Sequence, residues 1–145
     1  MSNPRIPQGV INRVRASIDF PDYPALRISA SYLTTEGISV DISPLGEPIP
    51  SMTGVVSSPQ PYTMMTITAN LQRSQALAQL FRNQIEKNTF LNTAKLYSDT
   101  STLGDFTLND VQIVNLGGMP MNGKNADFSL QFTGTWYINE DMWIF

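Results

Sequence analysis

Apolar and polar residues alternate over residues 10–20, VINRVRASIDF. Val10, Val14, Ala16, Ile18 and Phe20 share one face, and Arg13, Arg15, Ser17 and Asp19 the other. A period of two belongs to a strand buried on one side. Pro21, Asp22 and Pro24 mark a turn. Residues 24–34 then repeat the pattern, Leu26, Ile28, Ala30 and Tyr32 against Arg27, Ser29 and Ser31, and a shorter run, ISVDI, follows Gly37. YTMMTITA at 62–69 predicts another strand, and three more are predicted near 93–98, 105–115 and 126–138. In 105–115 the apolar phase slips at Asn109 and Asp110, from Phe106 and Leu108 to Val111 and Ile113. A bulge or bend accounts for such a slip. In 126–138, Phe128, Leu130, Phe132 and Trp136 share a face with Gly134, opposite Asp127, Ser129, Gln131, Thr133 and Thr135. That second face is short, polar and almost uncharged.

Two stretches depart from the period of two. Between residues 71 or 74 and about 88, Leu77, Leu80, Phe81, Gln84 and Ile85 recur at helical spacing. Asn70 or Ser74 is the candidate N-cap, and Lys87 and Asn88 suit the C-terminal end. Leu77, Leu80, Phe81 and Ile85 are the candidate packing stripe of this helix, the one clear helix in the chain. Residues 43–61, SPLGEPIPSMTGVVSSPQP, hold five prolines, two glycines and four serines. That spacing of prolines predicts no regular element. An irregular connection of this length in a small domain is usually functional or disordered.

Composition narrows the chemistry. At 145 residues the chain has the size of a single domain, 1–145, able to bury a core without covalent staples. It contains no cysteine and no histidine. Disulfides and thiolate metal sites are excluded, and the commonest general base and metal ligand is missing. Nucleophilic triads that use His cannot be written. Only 14% of residues are charged and the net charge is −3, so the basic footprint of a nucleic-acid binder is absent. The first residues, MSNPRIPQGV, carry no apolar core of signal-peptide length, and no apolar run has the length of a membrane span. The expectation is a structural protein with no catalytic, cofactor or metal site and no membrane partner.

Four local patterns also have simpler readings. Residues 118–124 have the spacing of a phosphate-binding loop, but Asn125 stands where Ser or Thr should hold magnesium, and a strand rather than a helix follows. A turn is the better reading. Residues 99–110 have acidic spacing similar to a calcium loop, with leucine at a ligand position and no flanking helices. The pairs Asp19 with Asp22 and Glu140 with Asp141 read as solvated turn residues. Trp136, Tyr137 and Trp143 could stack sugars or bases, but beside a Phe- and Leu-rich strand they read as core or interface.

Strands, a long Pro-rich loop, a strand, one amphipathic helix and three further strands, in that order, resemble the tube subunit of bacteriophage tails and of type VI secretion. The segments that carry the resemblance are TANLQRSQALAQLFRNQIEKN, KLYSDTSTLGDFTLNDVQIVNLGG and ADFSLQFTGTWYI with its Gly134. The resemblance implies a mainly β fold of two packed antiparallel sheets, sandwich- or barrel-like, with one flanking helix. It implies hexameric rings that stack into a hollow tube, the conduit through which DNA leaves the capsid. Partners implied are further copies of the chain, a contractile sheath, a tape-measure protein, baseplate and tail terminator proteins, and DNA in transit, all within the virion after assembly in the host cytoplasm. The loop would join adjacent rings through Pro44, Leu45, Glu47, Pro48, Ile49, Pro50 and Met52. The polar faces of 10–20, 24–34 and 126–138 would line the lumen, with Asp127, Ser129, Gln131 and Thr133 the leading candidates. Arg13, Arg15 and Arg27 on such faces would each be offset by a nearby acid or turned into a pair between subunits. The alternatives are a terminator, a baseplate initiator or a type VI ring protein, or a small β-sandwich that binds a ligand such as a carbohydrate.

Overall fold

The strand patterns become eight strands and one helix in the computed structural model, which describes residues 8–12, 14–117, 119 and 121–143. The strands are β1 (Ser17–Asp19), β2 (Leu33–Ile42), β3 (Gly46–Pro50), β4 (Val55–Pro59), β5 (Tyr62–Gln72), β6 (Phe90–Tyr97), β7 (Asp105–Leu116) and β8 (Asp127–Tyr137). The helix α1 (Ala76–Lys87) follows β5, and short 3-10 turns form at Pro24–Leu26, Ala30–Tyr32 and Glu140–Met142. The fold is mainly β.

Six strands make one curled antiparallel sheet in the order β1-β6-β7-β8-β5-β2. Alternation is strictest in its middle. From Thr63 to Leu71 every second residue of β5 is buried, and so is every second residue of β8 from Phe128 to Gly134. Cross-strand pairs such as Ile67 with Phe132 and Ala69 with Leu130 put these residues on one face. That face is covered by α1 and by the chain around Phe20–Ile28, where Phe20, Phe81 and Phe132 meet with centroids 5.6–6.3 Å apart. Each fully buried side chain of this size stabilises by about 1.5–3 kcal/mol relative to exposure.

The phase slip in β7 is a bulge. Asp110 takes the left-handed conformation (φ 53°) and the register with both neighbours shifts there. Asp and Asn tolerate that region better than other non-glycine residues. Leu108 and Val111 are therefore both buried although three positions apart. Gly134 passes beneath them; a Cβ there would lie 3.0 Å from both Leu108 Cβ and Val111 Cγ2. A second bulge, at Asn92 in β6 (φ 67°), has no comparable signal in the sequence.

Several expectations are corrected. Of the strand expected at 10–20 only β1 forms. Val10 and Val14 stay 84% and 72% exposed, because no neighbouring strand accepts that stretch. Residues 24–34 are not a strand. Pro24 starts a 3-10 turn, Ile28 makes a lone bridge with Ile18, and a second 3-10 turn leads into β2. The strand expected at 62–69 runs on to Gln72, so α1 begins later, with Gln75 rather than Asn70 or Ser74 at its N-cap. The stretch 43–61 is not irregular: β3 and β4 pair as a hairpin and form the second sheet. The two sheets do not pack face to face as layers, since every residue of the hairpin strands is exposed except Ser58, which is half-buried. Arg13, Gly118 and Pro120 lie outside the described residues.

Candidate assembly surface

Why a proline-rich stretch pairs at all follows from the phase of its ladder. Ser51 N–H donates to Gly54 O at 2.7 Å and Gln60 N–H donates to Leu45 O at 3.1 Å. Those bonds make Leu45–Gln60, Glu47–Ser58, Ile49–Val56 and Ser51–Gly54 the hydrogen-bonded pairs, and the alternate pairs point their backbone groups outward. Pro48, Pro50 and Pro59 all fall on the alternate pairs, and Pro44 and Pro61 continue the phase. None of the five removes a donor that the hairpin needs. What they remove are outward donors, those of Pro48 and Pro50 on β3 and of Pro59 at the foot of β4, which blunts the β3 edge against further strand pairing while Val55 and Ser57 keep theirs.

The hairpin projects from the end of the sheet where β2 gives way to β5. Its stem is tied to the β8 side: Ile138 N–H donates to Pro61 O at 3.1 Å and Asn139 Nδ2 donates to Gln60 O at 2.6 Å. Thr63 Oγ1 donates to Ser43 O at 2.9 Å. Beyond the stem Leu45, Ile49, Met52, Val55 and Val56 are all exposed, and Met52 at the tip is fully so. Pro44, Glu47, Pro48 and Pro50 are exposed as well. The seven residues expected to form a projecting arm are thus together on one element.

On the face of β8 away from the core, Asp127, Ser129, Gln131 and Thr133 stand in line, each half-buried. Pairing extends the row across the sheet. Gln112, Thr133, Thr66 and Asp41 lie side by side on β7, β8, β5 and β2, and so do Asn115, Gln131, Thr68 and Ser39. Ser129 Oγ donates to Asn70 Oδ1 at 2.7 Å, and Asn70 Nδ2 donates to Gly37 O at 3.2 Å. The result is a band of amides and hydroxyls with few charges. Of 10–20 only β1 adds to that face, with Ser17 and Asp19 beside Tyr97 and Lys95 of β6, and 24–34 adds no more than the start of β2. Arg15 instead donates to the carbonyls of Ser98 and Thr100 and lies 3.8 Å from Asp105, which supplies the acidic partner. Arg27 is exposed.

Of the four helix residues singled out, Leu77 and Phe81 are buried and Ile85 packs half-buried against the core. Leu80 does not pack there; it is 41% exposed. At 3.6 residues per turn it points about a third of a turn away from the centre of the buried stripe. Ala78, inconspicuous in the sequence for its small size, is buried on the opposite flank of the stripe.

The remaining candidates do not converge on a reaction centre. Residues 99–104 form a turn between β6 and β7, closed by Ser98 N–H to Gly104 O at 3.3 Å. Lys124 sits in a turn that leads into β8, with no helix after it. Asp22 accepts from Asn92 Nδ2 at 2.8 Å. Among the described residues no three acidic side chains come close enough to hold a metal ion. Trp136 packs edge-on against Phe106 at 5.2 Å, and Tyr137 and Trp143 pair at 5.5 Å on the surface. No described helix is long and apolar enough to cross a membrane. No family model matches the chain, and no curated protein matches it either.

Proposed function

We propose that the chain is a self-assembling structural subunit of the phage tail-tube type, whose rings stack into a hollow tube that conducts DNA. The observation that carries this reading is the hairpin. An isolated two-stranded hairpin is marginally stable in water, and this one keeps five apolar side chains exposed beyond its stem. A surface of that kind is covered by a neighbouring molecule in a working assembly. Head-to-tail contacts between identical copies then close into rings or run on as filaments.

The polar band supports the same reading. A lumen that passes DNA must neither bind phosphates nor present apolar surface, and a row of Thr, Ser, Asn and Gln with scattered acids meets both needs. Asp127, Ser129, Gln131 and Thr133 are its proposed lining. Contacts with a sheath, a tape-measure protein, baseplate and terminator proteins belong to this proposal, as does location in the virion. The chain acts by shape and surface rather than as an enzyme.

Negative-stain microscopy of the purified protein, over a range of concentration and salt, tests the reading. Six-fold rings that stack into tubes are expected. A species that stays monomeric throughout would overturn it, and a single ring that never stacks would favour a terminator or initiator role.

A further inference from the structure

The turn that leads into β8 holds the one Asn-Gly step in the chain, Asn122-Gly123. Residues 121–126 are all exposed. Asn122 Oδ1 accepts from Lys124 N–H at 2.9 Å. Gly123 lies at φ 76°, and nothing stands within 4 Å of the place of a Cβ. Among the described residues its N–H has no protein acceptor. Asn12, Asn88 and Asn125 make the same kind of turn, each accepting from the backbone N–H two residues on at 2.9–3.0 Å. The residues that follow them are Arg13, Thr89 and Ala126. Only at Asn122 is the amide followed by a residue without a side chain.

We infer that Asn122 is a self-modification site, which loses its side-chain amide to attack by its own backbone. Gly123 N gives up its proton to hydroxide and attacks Asn122 Cγ. The N–Cγ bond forms, the Cγ–Nδ2 bond breaks, and Nδ2 leaves as ammonia with a proton from solvent. Water then opens the cyclic imide at either carbonyl, leaving aspartate or isoaspartate. The net change consumes water and releases ammonia, and it needs no oxidant, metal or cofactor. Glycine leaves the attacking nitrogen unshielded. Charge that develops on Oδ1 during the attack meets Lys124 N–H, already aimed at that atom, as backbone donors stabilise an oxyanion. Each conversion adds one negative charge to a chain whose net charge is −3. The isoaspartate form also lengthens the backbone just before β8. The step is one-way, so the modified form accumulates with the age of the protein. It needs the turn alone and does not rest on the assembly reading.

The test holds the full chain at neutral and at mildly alkaline pH and follows each asparagine by peptide mapping, with fragmentation that separates aspartate from isoaspartate. A synthetic peptide of residues 118–126 supplies the rate without the fold. Asn122 is expected to convert to both products, faster in proportion to hydroxide, while Asn125 and Asn88 stay intact and the unfolding midpoint does not move. Gly123→Ala should slow conversion about tenfold or more, since a Cβ crowds the nitrogen and disfavours the positive φ. Ala126→Gly puts glycine after Asn125 and keeps the backbone carbonyl that accepts from Arg73 N–H, and it should make Asn125 convert as well. An Asn122 that stays intact in the folded chain while the peptide converts overturns the inference. So does an unslowed Gly123→Ala chain, an Asn125 as reactive as Asn122 in the parent, or an Asn125 still inert after Ala126→Gly.

Discussion

The six-stranded sheet and the β3–β4 hairpin are the same secondary structure produced by different causes. In β5 and β8 the alternation is one of burial: odd or even residues enter the core, and the hydrophobic effect fixes the register, since a slip of one would expose the whole apolar set. In the hairpin the alternation is one of donors. Its prolines share a phase, its hydrogen bonds share the other, and apolar residues fall on both faces, Ile49 and Val56 on one and Val55 on the other. Burial makes the sheet self-sufficient. The hairpin has pairing without a core, so its side chains remain available to a partner.

Substitutions can break that contrast, and the sheet should suffer most. Phe81→Ala empties the centre of the Phe20–Phe81–Phe132 cluster and should cost about 3–5 kcal/mol, read by denaturant unfolding. A loss below about 1 kcal/mol would mean the helix is not part of the core. Gly134→Ala drives a methyl against Leu108 and Val111 in the bulge and should cost about 1–3 kcal/mol; an unchanged midpoint would show that the bulge yields. Leu80→Ala should cost about 1 kcal/mol or less, because the side chain is 41% exposed and lies outside the core. Smallest of all should be removal of residues 45–58, which leaves every core residue in place and the unfolding midpoint unmoved.

How much of this the sequence disclosed depends on what kind of signal each element carries. Alternation and helical spacing report faces, and where a face is buried they read correctly: β8, most of β5, the Leu77–Phe81 stripe and the bulge at Asn109–Asp110. They do not report whether a neighbouring strand exists. Val10 and Val14 alternate as well as Ile18 and Phe20 do, yet only the latter find β6 and the core. Leu26 and Ile28 are buried as their pattern implies, but Pro24 sets a 3-10 turn where a strand was expected. The number of prolines in 43–61 disguises the hairpin, whereas their parity fits it. In the phase of the ladder, the same five residues spare every inward donor and blunt the β3 edge. In the candidate surface, the polar row on β8 was legible residue by residue; its extension to Gln112, Thr66 and Asp41 depends on register and could be seen only in the fold.

We propose that a self-sufficient sheet carries a hairpin whose role is contact between copies. The most direct test compares the full chain with the chain lacking 45–58 by electron microscopy at equal concentration, with unfolding midpoints measured in parallel. Stacked rings are expected for the full chain, and for the shortened one a folded species of equal midpoint that does not stack. Tubes from the shortened chain as long and abundant as those of the parent would contradict it.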